Sequence, residues 1–326
     1  MSPDPQPVRA AARRVRAERT SAGKRRLSPP ARVRYGSLTF TRAKVVDRRP
    51  GRRAVIAYRV KGHSQRGRLV LGKQFSDPDQ AVRVHAILEE LRSEAIGAPR
   101  PIDISPDRSL VLYRPVDGWQ LSDVIVTDPA GSDVRRAADW LAQLHESSIR
   151  LDRAFDPGRE VANLGLWATI VAKAKPRAAA AALALFGDLQ ALAAEMTFAE
   201  DVPVHKDFHH GHVIVGPCPA SLDVDEMRYG DPSLDLAHFC VHLWLLGLRG
   251  LPRTRELERL FLDHYARRTG WRSDERFTYF SAYTCLKIAK QLCSGTGVEP
   301  RPAAVELERQ LTAVLRHGRT LAGGIA

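Results

Sequence analysis

The sequence has few of the features that would define a class of protein at once. Four of its 326 residues are cysteines, and none belongs to a C-x-x-C pair: Cys218, Cys240, Cys285 and Cys293. They predict reduced thiols in a cytoplasmic protein rather than a disulfide framework. No uncharged apolar run approaches 18 residues, so no membrane span is expected. No apolar segment follows the basic N-terminal residues, so no secretory signal is expected.

Acidic residues are scarce relative to basic ones. The chain has 50 Lys+Arg and 37 Asp+Glu, a formal net charge of +13. Residues 1–34 carry +8 from ten basic and two acidic residues, and residues 241–326 carry +6 from 14 basic and eight acidic residues. We predict that residues 1–34 form a disordered basic tail. Such a tail offers only sequence-independent, salt-dependent attraction to phosphates, so a nucleic acid is not the expected partner.

The pattern of apolar residues divides the rest of the chain into two parts. Between residues 33 and 115, segments rich in β-formers predict strands over 33–41, 54–60, 68–75 and 110–113. One helix interrupts them, because four apolar residues recur at helical spacing: Val84, Ile87, Leu88 and Leu91. Beyond residue 116 the pattern predicts helices over 133–147, 178–196, 234–248, 255–269, 277–292 and 303–321. The sequence therefore predicts an α+β fold with a β-rich lobe and a larger helical lobe.

Polar residues concentrate in an otherwise apolar segment, residues 202–239. Asp207 follows a short apolar strand and has four histidines around it: His205, His209, His210 and His212. Asp223 follows the next strand, with Asp225 two residues later. A hairpin between the two strands would bring these carboxylates into one cleft. Phosphoryl transfer needs one carboxylate to orient an attacking hydroxyl and others to hold Mg²⁺ on nucleotide phosphates, so this arrangement suits that reaction.

Two motifs in this segment resemble those of a known family. Residues 205–215, HKDFHHGHVIV, are similar to the catalytic-loop pattern H-G-D-L-H-P-G-N-V-L of the aminoglycoside phosphotransferase family. That family belongs to the protein-kinase-like superfamily, with choline kinases and macrolide kinases as relatives. LDVD at 222–225, followed by GDPSLDLA at 230–237, is similar to its metal-binding segment. Weaker similarity extends over residues 40–270.

The resemblance implies a two-lobed protein-kinase-like fold. Its nucleotide-binding N-lobe would be residues 35–115, and its helical C-lobe, with the catalytic loop and the acceptor site, residues 116–326. Asp235 would brace the catalytic loop through backbone hydrogen bonds, and His205 would pack beneath it. The implied site residues are Asp207 as catalytic base; Lys73, Tyr113 and Pro115 for the nucleotide; and His212, Asp223 and Asp225 for the metal.

The activity implied is that of a small-molecule kinase using ATP (or GTP) and Mg²⁺. The acceptor would be a hydroxyl of an antibiotic, sugar or natural-product metabolite, and the protein a monomer or a homodimer. Aminoglycosides are polycations and would favour an acidic acceptor surface. The charge of +6 in residues 241–326 therefore favours a neutral or anionic acceptor.

The chain departs from the family pattern at three places. His212 stands where the family has a metal-binding Asn, although macrolide kinases also have His there. The helix after Lys73 lacks a Glu at the expected place. Either Glu89 or Glu90 pairs with Lys73, or no Lys–Glu pair forms. No glycine-rich loop covers the phosphates, and Gly51 is only a candidate for that role. These departures leave a second hypothesis open, a pseudokinase that binds a nucleotide or a partner without turnover.

The histidines can also be explained by roles other than phosphoryl transfer. The spacing H-x3-H-H-x-H, even with Cys218 nearby, matches no zinc motif well. His210 is expected to face solvent or substrate. His85, His238 and His242 are expected to be packing residues.

Overall fold

The computed structural model describes residues 29–35, 38–49, 53–61, 69–199, 202–295 and 302–325. Most of the predicted basic tail, and Gly51, lie outside these ranges. The described residues form a lobe built on an antiparallel sheet, followed by a larger helical lobe. The predicted α+β, two-lobed fold class is therefore confirmed.

The small lobe contains a six-stranded sheet. Its strands are β1 (Arg32–Tyr35), β2 (Leu38–Arg49), β3 (Arg53–Lys61), β4 (Leu69–Phe75), β5 (Arg100–Ile104) and β6 (Leu110–Arg114). The order is β1-β2-β3-β4-β6-β5, and every neighbouring pair is antiparallel. The single strand predicted over 33–41 is thus wrong, because those residues divide between two antiparallel partners. Lys73 lies within β4, opposite Val55 of β3 and Val111 of β6.

Helix α1 (Pro78–Ser93) lies between β4 and β5 in the chain. The carboxylate of Asp77 caps it by accepting a hydrogen bond from the backbone N–H of Asp79, and a proline occupies its first turn. The four apolar residues of the predicted stripe are all buried, in one apolar cluster with Phe75 and Val111 of the sheet. This helix was correctly predicted because its periodicity and its cap agree.

Most of the large lobe is helical. Its helices are α2 (Leu121–Val124), α3 (Ser132–His145), α4 (Pro157–Ala174), α5 (Ala179–Glu195), α6 (Ser233–Leu248), α7 (Thr254–Thr269), α8 (Glu275–Ser294) and α9 (Ala304–Gly323). Helix α4 was not predicted, because Pro157, Gly158 and Gly165 interrupt its sequence pattern. In the structure Pro157 lies in the first turn, and Gly165 lets the ring of Phe186 approach, since an added Cβ would lie 3.1 Å from that ring.

One segment, Pro176–Glu195, is long and apolar enough to cross a membrane by length and composition. The sequence analysis expected no membrane span, and so it did not single out this segment. Helix α5 within this segment packs Ala182, Leu185 and Leu189 against the core of the large lobe. Of the apolar window in this segment, 17% is buried.

Short strands between α5 and α6 carry the polar segment singled out in the sequence. They are β8 (Val202–Val204), β9 (Val213–Val215), β10 (Ala220–Ser221) and β11 (Arg228–Gly230). Strand β8 pairs with β11, whereas β9 pairs with β10 and with β7 (Trp119–Gln120). The hairpin β9–β10 thus separates the loop of Asp207 from the loop of Asp223.

A close backbone contact joins the two lobes at Gly97, just before β5. Its carbonyl oxygen accepts hydrogen bonds from Nε1 of Trp140 at 2.7 Å and from the backbone N–H of Ser221 at 3.1 Å. A Cβ at position 97 would lie 2.0 Å from the carbonyl oxygen of Pro219. Only glycine fits here, because no side chain can occupy space that a neighbouring backbone fills.

Candidate active site

Asp235, near the start of α6, fixes the backbone of the loop that follows β8. Its carboxylate accepts hydrogen bonds from the backbone N–H groups of His205 at 2.6 Å and Lys206 at 2.7 Å. Lys206 has a left-handed backbone, φ 68°, which turns the chain sharply just before Asp207. Asp235 is fully buried, and Nε2 of His145 lies 3.2 Å from it. The loop is therefore held by charge-assisted bonds shielded from water.

His205 lies under this loop. Its Nδ1 accepts from the backbone N–H of Asp207 at 3.3 Å, and its Nε2 donates to the carbonyl of Leu222 at 2.8 Å. The ring is buried against Trp140 and Phe208. His205 thus connects the loop of Asp207 to the start of the loop that carries Asp223.

The carboxylate of Asp207 is surrounded by nitrogen atoms. Nζ of Lys287, on α8, donates to Oδ1 at 2.7 Å, and Nε2 of His238, on α6, lies 3.1 Å from the same oxygen. Nδ1 of His212 lies 3.8 Å from Oδ2. Burial raises the pKa of Asp207, but Lys287, His238 and His212 lower it by more, so it lies well below the usual range. Asp207 is therefore a carboxylate anion at neutral pH.

Sequence reasoning missed Lys287 and assigned His238 to packing. Both contacts join residues that are distant in the chain, and no local motif marks either one. His238 is buried, but its ring contacts the central carboxylate, so the packing role was incomplete. The sequence signal for Lys287 was weak: a lysine among apolar residues of a helix, with Lys290 three residues later.

His212, Asp223 and Asp225 come together on the other side of Asp207. Nδ1 of His212 donates to the carbonyl of Asp207 at 2.8 Å, which leaves Nε2 with a lone pair 3.7 Å from Oδ2 of Asp223. Asp223 has a left-handed backbone, φ 59°, at the start of a 3₁₀ turn that contains Asp225. Carboxylate oxygens and an imidazole nitrogen are ligand types that a divalent cation can take. Among the described residues, however, the group on this side whose ligand atoms all lie within 4.8 Å of one another is Asp207, His209 and His212.

Two cations from the small lobe bind these carboxylates. Nζ of Lys73 lies 2.6 Å from Asp223 and 2.5 Å from Asp225, and the guanidinium of Arg53 lies 2.7 Å from Asp223 and 2.9 Å from Asp225. Burial raises the pKa of Asp223, but Lys73, Arg53 and His212 lower it well below the usual range. The pKa of Asp225 is raised, chiefly by burial. Arg53 was missed in the sequence because it lies 170 residues from its partner.

Neither expected glutamate pairs with Lys73. Glu89 forms an ion pair with Arg92, one turn along α1, and Glu90 accepts from the backbone N–H of Arg150. Of the two alternatives that the sequence left open, the structure shows the second, in which no Lys73–Glu pair forms. Asp223 and Asp225 of the large lobe pair with Lys73 instead, because β4 directs the lysine side chain towards their loop.

A cavity of about 920 Å³ connects these groups. At one end it is lined by Val55, Leu71, Tyr113 and Pro115 of the small lobe and the segment after it. Asp207, Asp223 and Asp225 lie along its middle. At the other end it is lined by residues from α6 and α8 and their ends: His242, Leu245, Leu246, Arg249, Lys290 and Gln291. The apolar end suits a flat ring system, and Lys73 and Arg53, which also line the cavity, suit phosphates.

The histidine cluster includes one residue from outside the motif. Nitrogens of His209, His210 and His242 lie within 4.8 Å of one another. The rings of His209 and His242 are stacked, however, with centroids 4.4 Å apart and planes at 12°. Lone pairs of parallel rings do not converge on one ion, so this arrangement does not favour a zinc site. His242, expected to be a packing residue, is buried and stacked on His209, and it also lines the cavity.

Beneath the loop, Lys206 forms a buried pair with Glu160 of α4 at 2.5 Å. Glu160 also accepts from the hydroxyl of Tyr283 at 2.6 Å. Burial raises the pKa of Glu160, but Lys206, Tyr283 and Arg228 lower it to about 2. This network connects the loop of Asp207 to α4 and α8.

A β-rich lobe above a helical lobe, with a carboxylate-bearing loop in the cleft between them, defines a two-lobed kinase-like phosphotransferase fold. The model of the phosphotransferase enzyme family matches residues 52–271. The chain belongs to this family. No curated protein matches the chain.

Several solved structures share this fold. A thermostable mutant of the aminoglycoside phosphotransferase APH(4)-Ia is 14% identical, with a TM-score of 0.59 over 87% of this chain and 95% of that one. The choline kinase LicA from Streptococcus pneumoniae is 14% identical, with a TM-score of 0.58 over 94% and 99%. The amicoumacin kinase hAmiN, in complex with AMP-PNP, Ca²⁺ and Ami, is 14% identical, with a TM-score of 0.59 over 98% and 96%. At this identity they show a shared fold.

Proposed function

We propose that the chain is an ATP-dependent small-molecule kinase that transfers the γ-phosphoryl group to an acceptor hydroxyl. One observation carries the proposal: Lys73, Asp223 and Asp207 line one cavity. Lys73 and Asp223 are in direct contact at 2.6 Å, and Asp207 lies across His212 from them. The family model and the hAmiN complex with AMP-PNP and Ca²⁺ support a nucleotide and a divalent cation.

Each residue has a defined task in this proposal. The base of ATP (or GTP) would lie against Val55, Tyr113 and Pro115. The phosphates would replace Asp223 and Asp225 as the ionic partners of Lys73. His212, Asp223 and Asp225 would hold Mg²⁺. When bound, Mg²⁺ neutralises phosphate charge and orients the phosphates. We propose a cytoplasmic protein, as a monomer or a homodimer.

Asp207 would act on the acceptor. Lys287 and His238 occupy Oδ1, so Oδ2 is the oxygen left to accept the hydrogen bond of the acceptor hydroxyl. Because the pKa of Asp207 is low, the carboxylate would mainly orient the hydroxyl and accept its proton late in transfer.

The test compares nucleotide binding and turnover. Calorimetry with Mg²⁺–ATP should detect binding to the natural chain and a loss of about tenfold or more in Lys73→Met. Lys173→Met, an exposed lysine on α4, is the matched control and should bind as the natural chain does. An acceptor screen with mass detection should then find a phosphorylated product. The kinase proposal fails if Mg²⁺–ATP does not bind, or if Lys73→Met binds it equally well.

A pseudokinase is the second candidate, and one observation favours it. Both metal-site carboxylates are already bound by Lys73 and Arg53, so a metal ion must compete with two buried cations. In that case ATP would bind, and no acceptor would be phosphorylated. Detection of any phosphorylated acceptor that disappears in Asp207→Ala would exclude this candidate.

A further inference from the structure

Helices α6 and α8 each line the cavity one turn beyond the residue that contacts Asp207. On α6, Nε2 of His238 lies 3.1 Å from Oδ1 of Asp207, and His242 follows four residues later. On α8, Nζ of Lys287 donates to the same oxygen at 2.7 Å, and Gln291 follows four residues later. Residues four apart share one face of a helix, so His242 and Gln291 lie about 6 Å further along the same wall.

Among the residues that the structure describes, three buried polar atoms on this part of the wall make no hydrogen bond. They are Nε2 of His242, Oε1 of Gln291 and, on the loop of Asp207, Nδ1 of His210. His242 is 3% exposed and Gln291 is 7% exposed. Buried polar groups in folded proteins nearly always have partners. Three such atoms on one cavity wall therefore indicate a polar ligand.

The chemistry of these atoms favours hydroxyl groups. An amide oxygen only accepts hydrogen bonds, so Oε1 of Gln291 needs a donor, which an ionised carboxylate cannot supply. Burial, and then the neighbouring imidazoles, hold the pKa of His242 well below its ordinary value, so its ring is neutral and has one donor and one acceptor nitrogen. A hydroxyl both donates and accepts, and it therefore matches all three atoms whichever ring nitrogen carries the proton.

We propose that His242, Gln291 and His210 select the acceptor by binding hydroxyls on the far side of a polyhydroxylated ring, a sugar or a cyclic polyol. The inference rests on the proposed kinase function, because it places the reacting hydroxyl of the same ring beside Asp207. The distance of about 6 Å along the two helices is comparable with the width of a six-membered ring and its hydroxyls. A ring with a single hydroxyl would leave the three polar atoms buried without partners, and sites built for hydroxyls reject such ligands strongly.

The test compares three ligands built on a six-membered ring: myo-inositol, glucose and cyclohexanol. Binding is measured by saturation-transfer NMR and NMR titration, with and without saturating Mg²⁺–AMP-PNP. We expect myo-inositol or glucose to bind at least about tenfold more tightly than cyclohexanol, which lacks the additional hydroxyls. The proposal is overturned if cyclohexanol binds as tightly as both polyhydroxylated rings, or if neither of those rings binds.

Two apolar variants separate ligand recognition from a structural role. Gln291→Leu and His242→Phe keep the approximate size of each side chain, and Phe can keep the stacking on His209. Each should weaken binding of the polyhydroxylated ring by about tenfold. The Tm without ligand should stay the same or rise, because a buried atom without a partner is removed.

Gln190→Leu, at an exposed position on α5, is the matched control and should bind the ring as the natural chain does. A lower Tm in Gln291→Leu and His242→Phe, with binding retained, would show that these atoms serve the fold and would overturn the proposal.

The same measurements separate this inference from the proposed kinase function. If the rings bind in the expected order but Mg²⁺–AMP-PNP does not bind, the kinase function fails and the hydroxyl site stands. If Mg²⁺–AMP-PNP binds and the expected order is absent, the hydroxyl site alone fails.

Discussion

Nζ of Lys287 donates to Oδ1 of Asp207 at 2.7 Å and also to the carbonyl oxygen of Lys206 at 3.2 Å. One side chain of α8 thus contacts both the carboxylate of Asp207 and the backbone of its loop, 80 residues away in the chain. The lysine side chain is 13% exposed and the aspartate side chain 24%, so water screens the pair only partly. Lys287 is therefore in position to orient the carboxylate of Asp207 and to lower its pKa.

Replacing Lys287 with Met should raise the pKa of Asp207, because the largest lowering influence on it is removed. The acid limb of the pH–rate profile should move to higher pH. Turnover at neutral pH should fall about 10- to 100-fold through misplacement of the carboxylate, with little change in the KM for ATP. Lys287→Arg should restore part of the rate. An unchanged acid limb in Lys287→Met would contradict this assignment.

Asp207→Asn should lower kcat by about 10²- to 10⁴-fold, because the amide cannot accept the proton of the acceptor hydroxyl. Mg²⁺–ATP affinity should change less than about twofold, within ~0.4 kcal/mol. Asp263→Asn, an exposed aspartate on α7, is the control for the loss of one charge. Turnover within tenfold of the natural chain would show that Asp207 is not the group facing the acceptor.

Asp235→Asn should destabilise the protein by about 2–4 kcal/mol, because the amide oxygen can replace only one of two charge-assisted hydrogen bonds. The amide NH₂ would face the other N–H group. As a comparison, Asp274→Asn at the start of α8 keeps a good helix cap and should change stability by less than about 1 kcal/mol. Urea unfolding measures both, and equal effects would refute the role of Asp235 in holding the loop.

Glu160 should make the protein sensitive to acid. Its pKa is about 2 in the folded protein against 4.5 ordinarily, so its contribution is complete above about pH 4.5 and is lost as the pH falls towards 2. The contribution is about 3 kcal/mol. Glu160→Gln should destabilise the protein at pH 7, and its free energy of unfolding should fall less steeply below pH 4.5. Replacing the exposed Glu195 with Gln should have neither effect. Urea unfolding at pH 7, 4 and 3 provides the measurement, and a decline in Glu160→Gln as steep as in the natural chain would rule the assignment out.

Arg53→Gln should change the affinity for a free divalent ion and the affinity for ATP in opposite directions. Without the guanidinium, Asp223 and Asp225 keep more negative charge, so a free divalent ion should bind more tightly. ATP should bind less tightly, because one cation for its phosphates is lost. Arg59→Gln, exposed on the same strand, should alter neither. Mn²⁺ titration by EPR, with and without ATP, distinguishes these effects, and parallel changes would argue against Arg53 lying between the two sites.

The sequence predicted the fold class and the family because two motifs and the periodicity of α1 are local signals. It also predicted that Asp207 and Asp223 share a cleft, since the short hairpin between them leaves little freedom. Arg53, His238 and Lys287 escaped prediction because each contacts the site through the packing of distant elements. Helix α4 escaped prediction because Pro157 lies in its first turn and Gly165 permits close packing, and a single sequence does not distinguish these uses from a loop.

The contact at Gly97 has a consequence for how the cleft can move. It ties the segment between α1 and β5 to β10, two residues before Asp223. The segment before β5 and the loop of Asp223 are therefore held together, and rotation between the lobes cannot separate them at this point. In the proposed kinase, room for different acceptors would come from α6 and α8 instead. Substitutions on those helices would change the acceptor and leave the segment before β5 in place.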